Sequence, residues 1–123
     1  MDLDIAIQKH AQWKFKFNDA LHNKEQLDAA AISKDNNCEF GKWLHGDAKE
    51  QFGKEGSYVK CVADHAAFHV EAGKIAVLVN AHKPDEAERL MAKGSAYDQV
   101  SKRVAISIIE LKNATHMKNA THK

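Results

Sequence analysis

The run SYVKCVADHAAFHVEAGKIAVLVN, Ser57 to Asn80, sets Val62, His65, His69, Ala72, Ala76 and Val79 at alternating steps of three and four residues. That spacing keeps a single stripe on one face of an α-helix. The segment therefore reads as one long amphipathic helix packed against a neighbour. Two members of the stripe are histidines, held in the pentapeptide HAAFH, His65 to His69. On a helix, residues i and i+4 stack on the same face, so these two rings can address one point. Spacing alone leaves open whether they are a metal clamp, a catalytic pair or two imidazoles that share a face by chance.

The rest of the chain repeats the helical pattern on either side. Leu3, Ala6, His10, Trp13, Phe17 and Ala20 form a first stripe, again with a histidine in the seam. A third helix opens at Pro84, with Asp85 and Glu86 in its first turn, where proline and acids suit a helix start. Its stripe is Ala87, Leu90, Gly94, Tyr97, Ser101, Val104, Ile108 and Leu111. The connection AHKP, Ala81 to Pro84, is short enough to make the second and third long helices antiparallel neighbours. Between Asn23 and Gly56 the pattern changes. LDAAAIS is a short apolar segment, SKDNN (Ser33 to Asn37) is a turn-forming cluster with several N-cap candidates, and CEFGKWL reads as a short helix beginning at or just after Cys38. The expected fold class is all-α: an antiparallel helical bundle with a short additional helix that carries Cys38.

Composition fits this reading and narrows the function. The 123 residues suffice for one domain with a modest core. Eighteen Lys and Arg against 17 Asp and Glu leave a net charge of +1, with no basic block, which argues against nucleic acid or an anionic membrane as partner. No apolar run approaches the roughly 20 residues of a membrane span, and the N-terminus lacks a secretory signal core. The expected location is cytoplasmic, with Cys38 and Cys61 as thiols. Eight histidines, a single proline and few glycines complete the picture. Residues 1–112 are taken as the domain. The repeat NATHMKNATHK, residues 113–123, is taken as a frayed or appended tail, because the last stripe ends at Leu111. The start at Met1, directly at the first helix, suggests a domain cut from a larger protein.

The zinc-protease interpretation of HAAFH fails, since it requires a glutamate directly after the first histidine and Ala66 stands there. Location in a seam is more telling. Desolvated imidazoles need partners for their nitrogens, and His10, His65 and His69 supply three such rings on two helices. A structural zinc site takes four ligands, and both cysteines are candidates for the fourth. Cys61, His65 and His69 stand at i, i+4 and i+8; eight residues of helix span roughly 12 Å, so Cys61 and His69 do not readily share an ion. Cys38 is better placed: at a helix start the amide dipoles lower a thiol pKa and favour the thiolate. Gly41 admits close approach of another helix, and Phe40 and Trp43 anchor the short one. Asp64, rotated about 100° from His65, is expected to face solvent rather than to support a ligand.

HAQW (His10 to Trp13), CEFGKW (Cys38 to Trp43) and HAAFH, in that order, resemble the chemoreceptor zinc-binding domain of bacteria. The resemblance runs from His10 through the third long helix, and the three motifs together are specific. It implies zinc held by His10, Cys38, His65 and His69, with His22, His45, His82, His116, His122 and Cys61 outside the site. It also implies regulation rather than catalysis. Domains of this kind are appended to chemoreceptors and diguanylate cyclases, where zinc occupancy alters output, and a homodimer and an output module of the parent protein are the expected partners.

Two readings from other classes compete. A di-metal redox or oxygen-binding bundle needs Glu-x-x-His motifs on facing helices, and the sequence contains none. A helical interaction module would carry its histidines incidentally. Metal analysis of the purified chain separates the three: one zinc per chain is expected, two irons mark the di-metal bundle, and no metal marks the interaction module.

Overall fold

The computed structural model describes the backbone of residues 1–121 and the side chains of residues 1–115. Among these residues every regular element is a helix: α1 (Leu3–Ala11), α2 (Trp13–Asn23), α3 (Ala29–Ile32), α4 (Glu39–His45), α5 (Asp47–Phe52), α6 (Gly56–Asn80), α7 (Pro84–Met91) and α8 (Ala96–Thr121). The fold is an all-α bundle whose axis is the pair α6 and α8. Lys60 pairs with Glu110 at 3.3 Å and Asp64 accepts the Ser107 hydroxyl, so the two helices run antiparallel. α2 and α3 lie against α6, α1 lies along α8, and α7 touches both long helices.

The first stripe survives as α1 and α2, separated at Gln12 alone. Gln12 keeps right-handed helical dihedrals, and its amide still bonds the Gln8 carbonyl at 3.1 Å. Leu3, Ala6, His10, Phe17 and Ala20 therefore stay on one buried face. The expected third helix divides more deeply. α7 stops at Met91 and α8 starts at Ala96, because Gly94 adopts a φ of +85°, a conformation glycine enters without steric cost. The Gly94 amide donates to the Asp98 carboxylate at 2.9 Å, and Ser95 Oγ accepts from the Asp98 amide at 3.2 Å. This serine followed three residues later by an acid is a variant of the capping box. Gly94 thus belongs to a turn and not to the stripe. Within α7 the register also differs, since Leu90 is 37% exposed and Met91 takes the core position. α8 continues through Thr121, so the expected tail from residue 113 falls partly within this helix; residues 122 and 123, and the side chains of His116 and His122, lie outside the described residues.

The core is built by Phe17, Phe68, Tyr97, Ile75, Ile108 and Leu111. Tyr97 joins the elements, with ring centroids 6.2 Å from Phe17 and 5.7 Å from Phe68. Each side chain of this size contributes about 1.5–3 kcal/mol on burial. Asn80 pins the loop after α2 by accepting the Leu27 amide and donating to the Leu27 carbonyl, both at 2.7 Å. No helix among the described residues is long and apolar enough to cross a membrane.

α3 approaches α6 at Gly73. A Cβ there would lie 2.6 Å from Ser33 Cβ and 3.0 Å from Ser33 Cα, whereas one at the exposed Gly56 meets nothing within 4 Å. Gly73→Ala is expected to force α3 outward at a cost of about 1–3 kcal/mol. Gly56→Ala is expected to stabilise the chain by about 0.4–1 kcal/mol. Urea unfolding of the two variants checks both signs.

Candidate metal centre

α6 supplies His65 and His69 from adjacent turns of its buried face, and α1 brings His10 opposite them. Cys38 comes from the other side. Its backbone is extended (φ −84°, ψ 158°) and it serves as the N-cap of α4, its Sγ accepting the Gly41 amide at 3.2 Å. The polar cluster before it offers several N-cap candidates, and the structure gives the role to the cysteine, with the helix starting just after Cys38. Gly41 is obligatory for this packing, because a Cβ would fall 1.7 Å from the Asp35 carbonyl oxygen and 3.2 Å from His65 Cε1. Phe40 stands edge-on to His65 at 5.0 Å and to His10 at 5.7 Å.

One donor atom from each of His10, Cys38, His65 and His69 lies within 4.8 Å of the other three. His65 Nε2 is 3.0 Å from the Nε2 of both His10 and His69, and Cys38 Sγ is 3.4 Å from His65 Nε2 and 3.7 Å from His69 Nε2. In a tetrahedral zinc site the ordinary bond lengths set nitrogen–nitrogen edges near about 3.3 Å and sulfur–nitrogen edges near about 3.6 Å. These four edges come within a few tenths of an ångström of that figure, and the two remaining edges, from His10 to His69 and to Cys38, lie within 4.8 Å.

The protons tell the same story. His10 Nδ1 donates to the Ala6 carbonyl at 2.7 Å, and His69 Nδ1 donates to the Ile32 carbonyl at 2.8 Å. A carbonyl only accepts, so in each neutral ring the Nδ1 carries the proton and the Nε2 lone pair faces the cluster. Carbonyl groups that orient ligand histidines are a recurrent feature of metal sites. His65 has no such help: its Nδ1 is buried without a hydrogen-bond partner among the described residues. Packing against Phe40 and the space left by Gly41 position that ring.

Burial governs the titration of the cluster. Desolvation, followed by the other two rings, depresses His65 to about 2. Desolvation also holds His10 down at about 4, partly offset by its bond to Ala6, and lowers His69. For Cys38 the expectation of a lowered pKa is overturned in the metal-free chain. The backbone amides at the start of α4 pull it down as anticipated, but burial outweighs them and the thiol sits above its ordinary value.

Other sequence expectations find their places. Cys61 is fully buried one turn before His65 on α6 and takes no part in the cluster; burial and the nearby Asp64 and Glu110 push its thiol up to about 12. Asp64 is half-buried rather than solvent-facing, and holds Ser107 of α8 instead of a histidine. His45 pairs with Asp35 at 2.9 Å on the outer side of α4. The cluster contains no carboxylate, which leaves a bridged di-metal centre without its bridging groups. Missed entirely were the two carbonyls of Ala6 and Ile32, for which no side-chain pattern exists.

The chain matches the family model of the chemoreceptor zinc-binding domain over residues 10–76, more than half of its length. It belongs to that family. The matched span opens on His10 and encloses Cys38, His65 and His69, so the whole cluster lies within it. Comparison with curated proteins and with solved structures gives no match. A chemoreceptor zinc-binding domain is a sensory and regulatory module of bacterial signalling, not an enzyme, and the converging His10, Cys38, His65 and His69 agree with the family's zinc-ligand arrangement.

The depressed histidines make a prediction for the metal-free protein. In the unfolded chain these rings titrate near the ordinary 6.5, whereas folded His10 titrates near 4 and His65 near 2. Below pH 6.5 the unfolded state therefore binds more protons than the folded one, and stability falls as the pH is lowered. The urea midpoint of the metal-free chain should be flat above about pH 7 and decline steadily from pH 6.5 towards 4. A midpoint constant over that interval would contradict the neutral, desolvated cluster.

Proposed function

We propose that this domain binds one zinc ion per chain through His10 Nε2, Cys38 Sγ, His65 Nε2 and His69 Nε2, and reports occupancy to an output module of a bacterial signalling protein. The observation that carries the reading is the inward convergence of three imidazole Nε2 atoms and one thiol in a desolvated seam, two of the rings having their outer nitrogens engaged by carbonyls and so turning their lone pairs inward. Zinc in such a shell supplies charge and four directed bonds and keeps no open position for a substrate. Cys38 gives up its proton on binding, so affinity rises with pH through the range where the thiol ionises. The parent protein is taken to be a methyl-accepting chemotaxis receptor with this domain on its cytoplasmic side and acting as a homodimer.

Signal transmission is assigned to α4. The sulfur of Cys38 caps this seven-residue helix through Gly41 and faces the histidines at the same time. Any event that withdraws the sulfur, whether loss of the ion or oxidation of the thiolate, removes the cap and frees α4 from α6. His65 and His69 stay with the 25-residue helix α6. The moving part is thus the short helix, and the two-histidine pair is the fixed reference.

Separate cysteine replacements test the assignment. Cys38→Ser is expected to lower zinc affinity by roughly a hundredfold or more, above the range seen for residues that only orient ligands. Cys61→Ser should leave affinity unchanged and cost about 1–3 kcal/mol of stability through its buried hydroxyl. Competition with a chromogenic chelator reads the first effect and thermal melting the second. Loss of zinc confined to the Cys61 variant would move the site elsewhere.

A further inference from the structure

We propose that the Lys9–Glu39 ion pair gates the route from solvent to Cys38 and so sets the rate at which a divalent metal ion enters and leaves the site. The inference rests on the zinc reading above and adds a path and a control point to it. A cavity of about 300 Å³ is lined by His10 and Cys38, but not by His65 or His69. Cys38 is half-buried, whereas His65 is fully buried and His69 nearly so. The sulfur is therefore the donor that an arriving cation meets first and a departing one leaves last.

The walls of this cavity are held and its rim is not. Trp13 packs on Phe17 with ring centroids 5.4 Å apart, and Phe40 is wedged against both His10 and His65. Lys9 of α1 and Glu39 of α4 line the same cavity. Their side chains are 58% and 83% exposed and meet at 3.6 Å, joining the two helices that deliver His10 and Cys38. An exposed pair at this distance is weak and opens readily, so it slows passage without sealing the mouth. The cavity also carries Asp2 and Lys16. Two lysines and two carboxylates line the cavity, so its side-chain charge is balanced.

That balance makes the gate distinguishable from simple electrostatics. Removing a lysine favours a bound dication and disfavours a thiolate; removing a glutamate has the reverse effects. Charge alone must therefore move Lys9→Met and Glu39→Gln in opposite directions, whereas an opened gate moves both the same way. Two rates are measured on the full chain: zinc release into excess EDTA, and capture of Cys38 by iodoacetamide in the metal-free protein, read by mass spectrometry that resolves it from Cys61. Each single variant is expected to speed both rates roughly twofold to fivefold, and the double variant to be no faster than the singles. Lys60→Met, which removes the exposed α6–α8 pair with Glu110, should change neither rate. Opposite shifts in the two variants, or no shift in either, overturn the gate. If the unaltered chain takes up no zinc, the proposed function fails, and the iodoacetamide rates still decide whether the pair guards the route to Cys38.

Discussion

The structure depends on three imidazoles buried where only apolar side chains are comfortable. His10, His65 and His69 occupy the seam between α1 and α6 beside Phe40 and Phe68. An unpaired polar group in such a place costs several kcal/mol. Part of that cost is met by the Ala6 and Ile32 carbonyls, which are available because α1 supplies a carbonyl one turn back and α3 ends against α6. The same desolvation keeps the rings neutral over the physiological range. A neutral, oriented lone pair is also what a metal ion requires, so the condition for folding and the condition for binding coincide.

Helix packing is subordinate to this seam. Gly73 lets Ser33 descend onto α6, which brings the Ile32 carbonyl within reach of His69. Gly41 lets the Asp35 carbonyl and His65 Cε1 crowd the first turn of α4, which sets Cys38 over the histidines. Relative magnitudes indicate what governs α4. An N-cap interaction contributes about 0.5–2 kcal/mol, whereas a structural zinc site contributes about 10–16 kcal/mol. A capping sulfur that also held a metal ion would place the short helix under the control of the site and not of its own propensity. Seven residues are too few for α4 to be stable as an isolated helix.

Much of the fold was legible because helical periodicity is a local signal. The stripe from Val62 to Val79, the turn at Ala81 to Pro84 and the start of a short helix after Cys38 all appear in the structure where their spacing put them. The division of the third helix was also written locally, in Gly94, Ser95 and Asp98, but the unbroken three-and-four count across Gly94 masked it. The interchange of Leu90 and Met91 was not written at all. Both are apolar, and only the packing of α7 against α6 and α8 selects which one is buried.

For the site, the resemblance carried by HAQW, CEFGKW and HAAFH, in that chain order, singled out the four side chains that the structure brings together. Tertiary structure decided how they meet. It set which nitrogen of His10 and of His69 carries the proton, because that depends on carbonyls that have no signature in the side-chain sequence. It turned Asp64 towards Ser107 and left Cys61, one turn before His65, outside the cluster. It also reversed the expected shift of the Cys38 thiol. A helix start exerts its pull over one turn and can be read from sequence, whereas burial is the collective act of every neighbour and exists only once the chain has folded.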